Sequence, residues 1–172
     1  MIISTKKFCT LLAFLLISIL SACSQAPEKG KVVAGSSEDI KKFPGAKPNA
    51  YWKKVLSPEA YEIMVNKGTE TPFNNPYWNN HDRGIYMSAA TGAPLFSSDA
   101  KYDSGTGWPS FFKPIDPKAI MIVKDYSDGM ERDEVVERST GLHLGHVFND
   151  GPAPTGLRYC LDSYALKFVK DK

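Results

Sequence analysis

Cys160 stands in the string Arg158-Tyr159-Cys160-Leu161-Asp162-Ser163 and is one of three cysteines in 172 residues. A cysteine thiolate is a strong nucleophile and oxidises reversibly, whereas the thiol form is largely inert. Its reactivity therefore depends on neighbours that carry positive charge or exchange protons. Arg158 lies two residues away, on the same face of a regular strand. His143 and His146, in His143-Leu144-Gly145-His146-Val147-Phe148, titrate near neutral pH and can move protons. Trp108, in Gly107-Trp108-Pro109-Ser110-Phe111, offers a rigid aromatic face suited to a methyl group or a cation. Asp162 adds a carboxylate that can repel a thiolate or orient a histidine. The set reads as redox or nucleophilic chemistry.

Each residue also has a blander reading. A cysteine serves well as a small buried hydrophobe. Trp108 could plug the core beneath its loop, and from this string alone the two readings stand even. The histidines could be satisfied core groups. A metal pair is disfavoured, because no carboxylate or thiol has ligand spacing to them. Their spacing of three puts them on opposite faces of a regular strand, and only a bulge or bend at Gly145 would turn both to one pocket. His81 has no sequence neighbours that place it. Glu70 and Trp78 carry no spacing argument and read as structural.

The elements that must position these groups are short. Ser57 can cap a helix, Pro58 suits its first turn, Leu56 and Tyr61 can form a hydrophobic staple, and Gly68 can end it. After Gly84, β-prone runs recur at 85–88, 94–97, 119–124, 134–138, 142–148, 157–161 and 165–169. Turn residues separate them. Seven short strands after a helix indicate a mainly β, mostly antiparallel domain.

Residues 1–22 read as a signal peptide: Lys6 and Lys7 precede an apolar stretch that is short for a membrane span. The stretch ends in Leu20-Ser21-Ala22-Cys23, which resembles the lipobox of bacterial lipoproteins. That resemblance implies lipidation of Cys23 and an exported protein anchored to a membrane, on a periplasmic or extracellular face, without spanning it. Residues 23–48 read as a tether, rich in Lys, Ser, Gly, Pro and Glu, and 49–172 as one domain. Cys9 leaves with the signal and Cys23 is acylated, so Cys160 has no disulfide partner within the domain. Lys6 and Lys7 leave too, and the remaining chain carries equal numbers of basic and acidic groups. No long basic run remains, which argues against nucleic-acid binding.

Taken in order, the strings resemble the methionine-R-sulfoxide reductases of the MsrB type. The resemblance begins near Trp52 with Leu56-Ser57-Pro58-Glu59-Ala60-Tyr61. It runs through Gly68-Thr69-Glu70, Pro72-Phe73, Gly84-Ile85-Tyr86 and Pro94-Leu95-Phe96-Ser97-Ser98. It then includes Tyr102 to Phe111, His143 to Phe148 and Arg158-Tyr159-Cys160. It implies a fold of two antiparallel sheets with small N-terminal helices. It implies that Cys160 attacks the sulfoxide sulfur and passes through a sulfenic acid, that Trp108 packs on the substrate methyl, and that His143 and His146 position and protonate the oxygen. It implies substrates that are oxidised proteins or peptides, and a thioredoxin-like reductant.

Four features depart from the family pattern. Thr106 stands where many members carry a resolving cysteine, so reduction by an external thiol is expected. Residues 89–92 and 139–142 match the two zinc-binding Cys-x-x-Cys pairs of many members but hold no cysteine, so no zinc and no bound cofactor are expected. Asp162 replaces the usual asparagine and is placed at the substrate site by the resemblance. The segment between Arg138 and His143 is shorter than usual, and this and Asp162 bear on rate. Two other function classes compete. A non-catalytic module could bind a ligand in the Trp108 pocket, and a cysteine hydrolase could use Cys160 with His146. The second lacks any marked oxyanion hole.

Overall fold

The computed structural model describes residues 42–172. The residues read as a signal peptide, Cys23 and most of those read as a tether lie outside the described residues. Within the span read as tether, the Gly45 N–H donates to the Ser139 carbonyl at 2.7 Å. The Phe43 ring lies so close over Gly141 that a Cβ there would meet it at 2.7 Å.

Two short helices come first, α1 (Asn49–Val55) and α2 (Pro58–Met64). In α2 the Ser57 hydroxyl accepts the Ala60 N–H at 3.1 Å, the cap the sequence suggested, typically worth ~1 kcal/mol. Ala60, Ile63 and Met64 are buried on one face, and α1 buries Trp52. The chain turns after α2 with Lys67 at φ 56°, one residue before the glycine expected to end the helix. A left-handed conformation costs a non-glycine residue about 1–2 kcal/mol.

Nine strands follow: β1 (Gly84–Ser88), β2 (Pro94–Ser97), β3 (Lys101–Tyr102), β4 (Ser110–Phe111), β5 (Ile120–Asp125), β6 (Arg132–Glu137), β7 (His143–Phe148), β8 (Arg158–Leu161) and β9 (Leu166–Lys170). They form two antiparallel sheets, ordered β2-β1-β9 and β3-β4-β8-β7-β6-β5. The seven sequence runs match seven of these strands to within two residues at each end. The other two, β3 and β4, are two residues long and too short to show a period in sequence.

The sheets meet through aromatic residues. Tyr86 and Phe96 of the small sheet pack on Phe111 of the large one, with ring centroids 5.0 and 4.8 Å apart. Leu144, Leu161 and Val135 complete the buried side of the large sheet. Strand alternation then directs the residues between them to the opposite face. Cys160 lies between inward Tyr159 and Leu161, and His143 precedes inward Leu144. The core residues thereby fix which face carries the chemistry.

Candidate active site

Cys160 on β8 is directly opposite Ser110 on β4 and His146 on β7, and His146 is opposite Glu134 on β6. Paired residues share a face, so these four groups form one row across the sheet. His143 joins them through a bulge. Val135 pairs with Gly145 but the next residue, Val136, pairs with His143, leaving Leu144 as the extra residue. Both histidines therefore face one way, with ring centroids 5.3 Å apart. Gly145 makes this possible: at φ 148° a Cβ would sit 2.2 Å from the Cys160 carbonyl oxygen.

A cleft of about 140 Å³ lies over this row, lined by Trp108, His146, Cys160 and Asp162 together with Thr69, Arg132 and Phe148. Cys160 is half-buried and faces the cleft. Trp108 is likewise half-buried and is a wall of the cleft, not a core plug. Its indole N–H donates to the Glu70 carbonyl at 3.2 Å. The preceding Gly107 is stitched to the facing loop by Phe73 N–H at 2.9 Å and Asn75 Nδ2 at 2.8 Å, both donating to its carbonyl.

Glu70 organises this side of the cleft, a role no spacing in the sequence reveals. Its backbone carbonyl holds Trp108, and its N–H reaches Asp162 Oδ1 at 3.3 Å. Its carboxylate accepts the N–H groups of Ser163 and Tyr164 at 2.6 and 3.0 Å, just beyond the cysteine strand. Burial pushes its pKa up to about 7. Trp78 is a packing residue, with its ring edge-on to Phe73 at 5.4 Å. His81 is exposed, bonded to Asn79, and lies outside the cleft.

The two histidines sit in opposite electrostatic settings. His146 Nε2 lies 2.9 Å from Asp125 Oδ2, and Asp125 also accepts from Arg132 at 2.8 Å. Burial pushes the His146 pKa below its ordinary 6.5, against the Asp125 bond. With Nε2–H donating to Asp125, Nδ1 keeps its lone pair. His143 is 2 % exposed and lies between two carboxylates: Nδ1 is 2.8 Å from Glu134 Oε1 and Nε2 is 3.4 Å from Asp162 Oδ2. Burial alone would lower its pKa, but Asp162 and Glu134 raise it above 6.5. Burial thus tilts His146 toward its neutral form and the two carboxylates tilt His143 toward its charged form, and groups whose pKa values are pushed apart are suited to base and acid roles.

Burial raises the pKa of the Cys160 thiol, and Arg158 and the Thr106 and Ser110 hydroxyls only partly offset this. Arg158 is largely engaged elsewhere: it forks onto Asp150 at 2.8 Å through two nitrogens and lies over the Phe148 ring. The thiol rests protonated and needs a base. On its other side is a shelf of hydroxyls. Thr106 Oγ1 lies 3.9 Å from the sulfur, and Ser104 bonds both Thr106 and Ser110 at 2.8 and 2.7 Å.

The segments matched to zinc loops meet around Glu137, which is 1 % exposed. Its carboxylate accepts the hydroxyls of Ser88, Thr91, Ser139 and Thr140. Neutral hydroxyls about one carboxylate do not fit the thiolate and imidazole set that structural zinc takes. Among the described residues, no group of three or more His, Cys, Asp or Glu could hold a metal ion. Nor is any helix among them long and apolar enough to cross a membrane.

Comparison with known proteins agrees with this geometry. The model of the SelR domain matches residues 56–170. A peptide methionine sulfoxide reductase MsrB of Leptospira interrogans is 56 % identical over 120 residues, which cover 70 % of this chain and 92 % of that protein. Proteins of the same name from Agrobacterium fabrum and Thiobacillus denitrificans are 49 % and 52 % identical over 122 residues, covering 71 % of this chain and 90 % and 92 % of theirs.

Proposed function

The chain belongs to the MsrB family and is an oxidoreductase that reduces methionine-R-sulfoxide to methionine, and on that premise we propose how its residues carry the reaction. The observation that carries the scheme is the row Ser110–Cys160–His146 beneath Trp108, with His143 alongside. Trp108 seats the substrate methyl. Neutral His146 takes the Cys160 proton, and the thiolate attacks the sulfoxide sulfur. That bond drives an electron pair onto the oxygen, and His143, in the protonated form that Asp162 and Glu134 favour, supplies a proton. A second proton returns from His146. The oxygen departs as water, and water then attacks the cysteine sulfur, releasing methionine and leaving Cys160 as a sulfenic acid, while the proton that this water loses restores His143. The methionine sulfur gains two electrons, the cysteine sulfur loses two, and the protons balance. A positioned acid or base of this kind is typically worth ~10²–10⁴-fold in rate.

The oxidised cysteine is then reduced from outside. Thr106 provides no thiol, and the only other cysteines of the chain are Cys9 and Cys23. One thiol condenses with the sulfenic acid to give a mixed disulfide and water, and a second releases Cys160. A thioredoxin-like dithiol can supply both, and oxidised proteins or peptides are the substrates. Glu137 and its four hydroxyls join the loops that zinc joins in other members. A chelator such as EDTA should then leave the thermal midpoint unchanged, and a fall would disprove that reading.

The direct test is loss of R-sulfoxide from an oxidised methionyl peptide with dithiothreitol as reductant. The wild type should turn over and Cys160→Ser should not. Equal turnover by both would refute the assignment of Cys160. Export and anchoring rest on the lipobox-like string ending at Cys23, and make the enzyme a membrane-tethered repair protein of an exported face.

A further inference from the structure

Lys67 occupies a left-handed conformation that glycine takes without strain, directly before a glycine, at the exit from α2. A backbone outlier held in this way points to a role for the side chain that it aims. The Lys67 ammonium reaches Glu134 Oε2 at 2.8 Å, while Glu134 Oε1 binds His143 Nδ1 and His143 Nε2 faces Asp162. The alternation is cation, anion, imidazole, anion. It spans four separate parts of the chain and begins on a side chain 32 % exposed, outside the residues that line the cleft. With His143 doubly protonated the four charges cancel, and a buried array is tolerated best when they do.

We propose that Lys67 is a remote positioning residue of the reductase: by sharing Glu134 with His143, it sets how firmly the imidazole beside the cleft holds its second proton. The inference rests on the reductase reading and extends it beyond the cleft. The groups facing His143 are Glu134 from β6, Asp162 beyond β8 and His146 on its own strand. Lys67 acts behind Glu134, Glu70 behind Asp162, and Asp125 and Arg132 behind His146. Removing a cation from this array strengthens the hold of Glu134 on the imidazolium. Removing an anion weakens the hold. Lys67→Gly and Asp162→Asn must therefore move His143 in opposite directions, and the glycine variant also relieves backbone strain, so it should fold.

The experiment is an NMR titration of the His143 ring in the wild type, Lys67→Gly and Asp162→Asn, with the pH profile of kcat/KM measured alongside. Lys67→Gly should raise the pH at which His143 loses its proton by roughly half a unit or more, and carry the alkaline limb of activity with it. Asp162→Asn should lower both. A structural ion pair would change the melting temperature and leave the titration in place. An unmoved or lowered His143 midpoint in Lys67→Gly overturns the proposal. Absence of turnover by the wild type would defeat the reductase reading instead, while the ring titration would still decide the role of Lys67.

Discussion

At the scale of single residues, the site separates two imidazoles that share a strand and nearly touch. His146 is pushed toward its neutral form by burial, and His143 is pushed toward its charged form by Asp162 and Glu134 in spite of it. A reaction that needs His146 as base and His143 as acid is therefore broad in pH. Activity should fall on the acid side only below the ordinary histidine value, as His146 gains a proton. It should fall on the alkaline side only above that value, as His143 loses one. A kcat/KM profile over about pH 5–9 with a flat neutral region checks this, and a single sharp limb near 6.5 would contradict it. His146→Ala should cost ~10²–10⁴-fold in kcat/KM in a steady-state assay while the protein stays folded. Asp162 is reinterpreted by the same geometry. Beside the thiol it is a repulsive charge, but it also faces the His143 ring at 3.4 Å, whose protonated form opposes that charge.

At the scale of elements, the bulge in β7 decides whether there is a site at all. A regular strand would send one histidine into the core and the other to the cleft. Gly145→Ala combines a rare backbone conformation with a clash against the neighbouring strand. It should destabilise the domain by about 3 kcal/mol, seen as a fall of about 6–12 °C in the thermal midpoint. An unchanged midpoint would mean that the strand accommodates the methyl group and that the bulge is not glycine-dependent. This is also where the sequence was most and least legible. The β runs, the Ser57 cap and the possibility of a bend at Gly145 follow from local patterns, and local patterns survive folding. The roles of Glu70, Glu134 and Lys67 do not, because each acts on a residue distant in the chain. Lys67 and Glu134 are 67 positions apart, and Glu70 bonds the backbone just beyond β8, at Ser163, 93 positions away. Charged residues of this kind look like solvated surface until the fold closes over them.

At the scale of the whole molecule, a small two-sheet domain fixes one face with its core and spends the other on chemistry. The lipobox-like string ending at Cys23 supports the proposed membrane address. Cys23→Ser should release the protein from the membrane fraction and abolish labelling by a palmitate analogue, with turnover in solution retained. Persistent membrane association of that variant would remove the anchoring proposal. The hydroxyl shelf beside Cys160 carries a consequence for survival under heavy oxidant load. Ser104, Thr106 and Ser110 can cradle an S–OH group, but none of them can cap it. In the proposed scheme each catalytic cycle therefore leaves the sulfur waiting for a reductant that arrives by diffusion. On that scheme, peroxide that arrives first would push it to the sulfinic acid, a rung with no ordinary way back, so reductant supply would limit the repair capacity of this protein, and famine for thiols would turn the healer into a casualty.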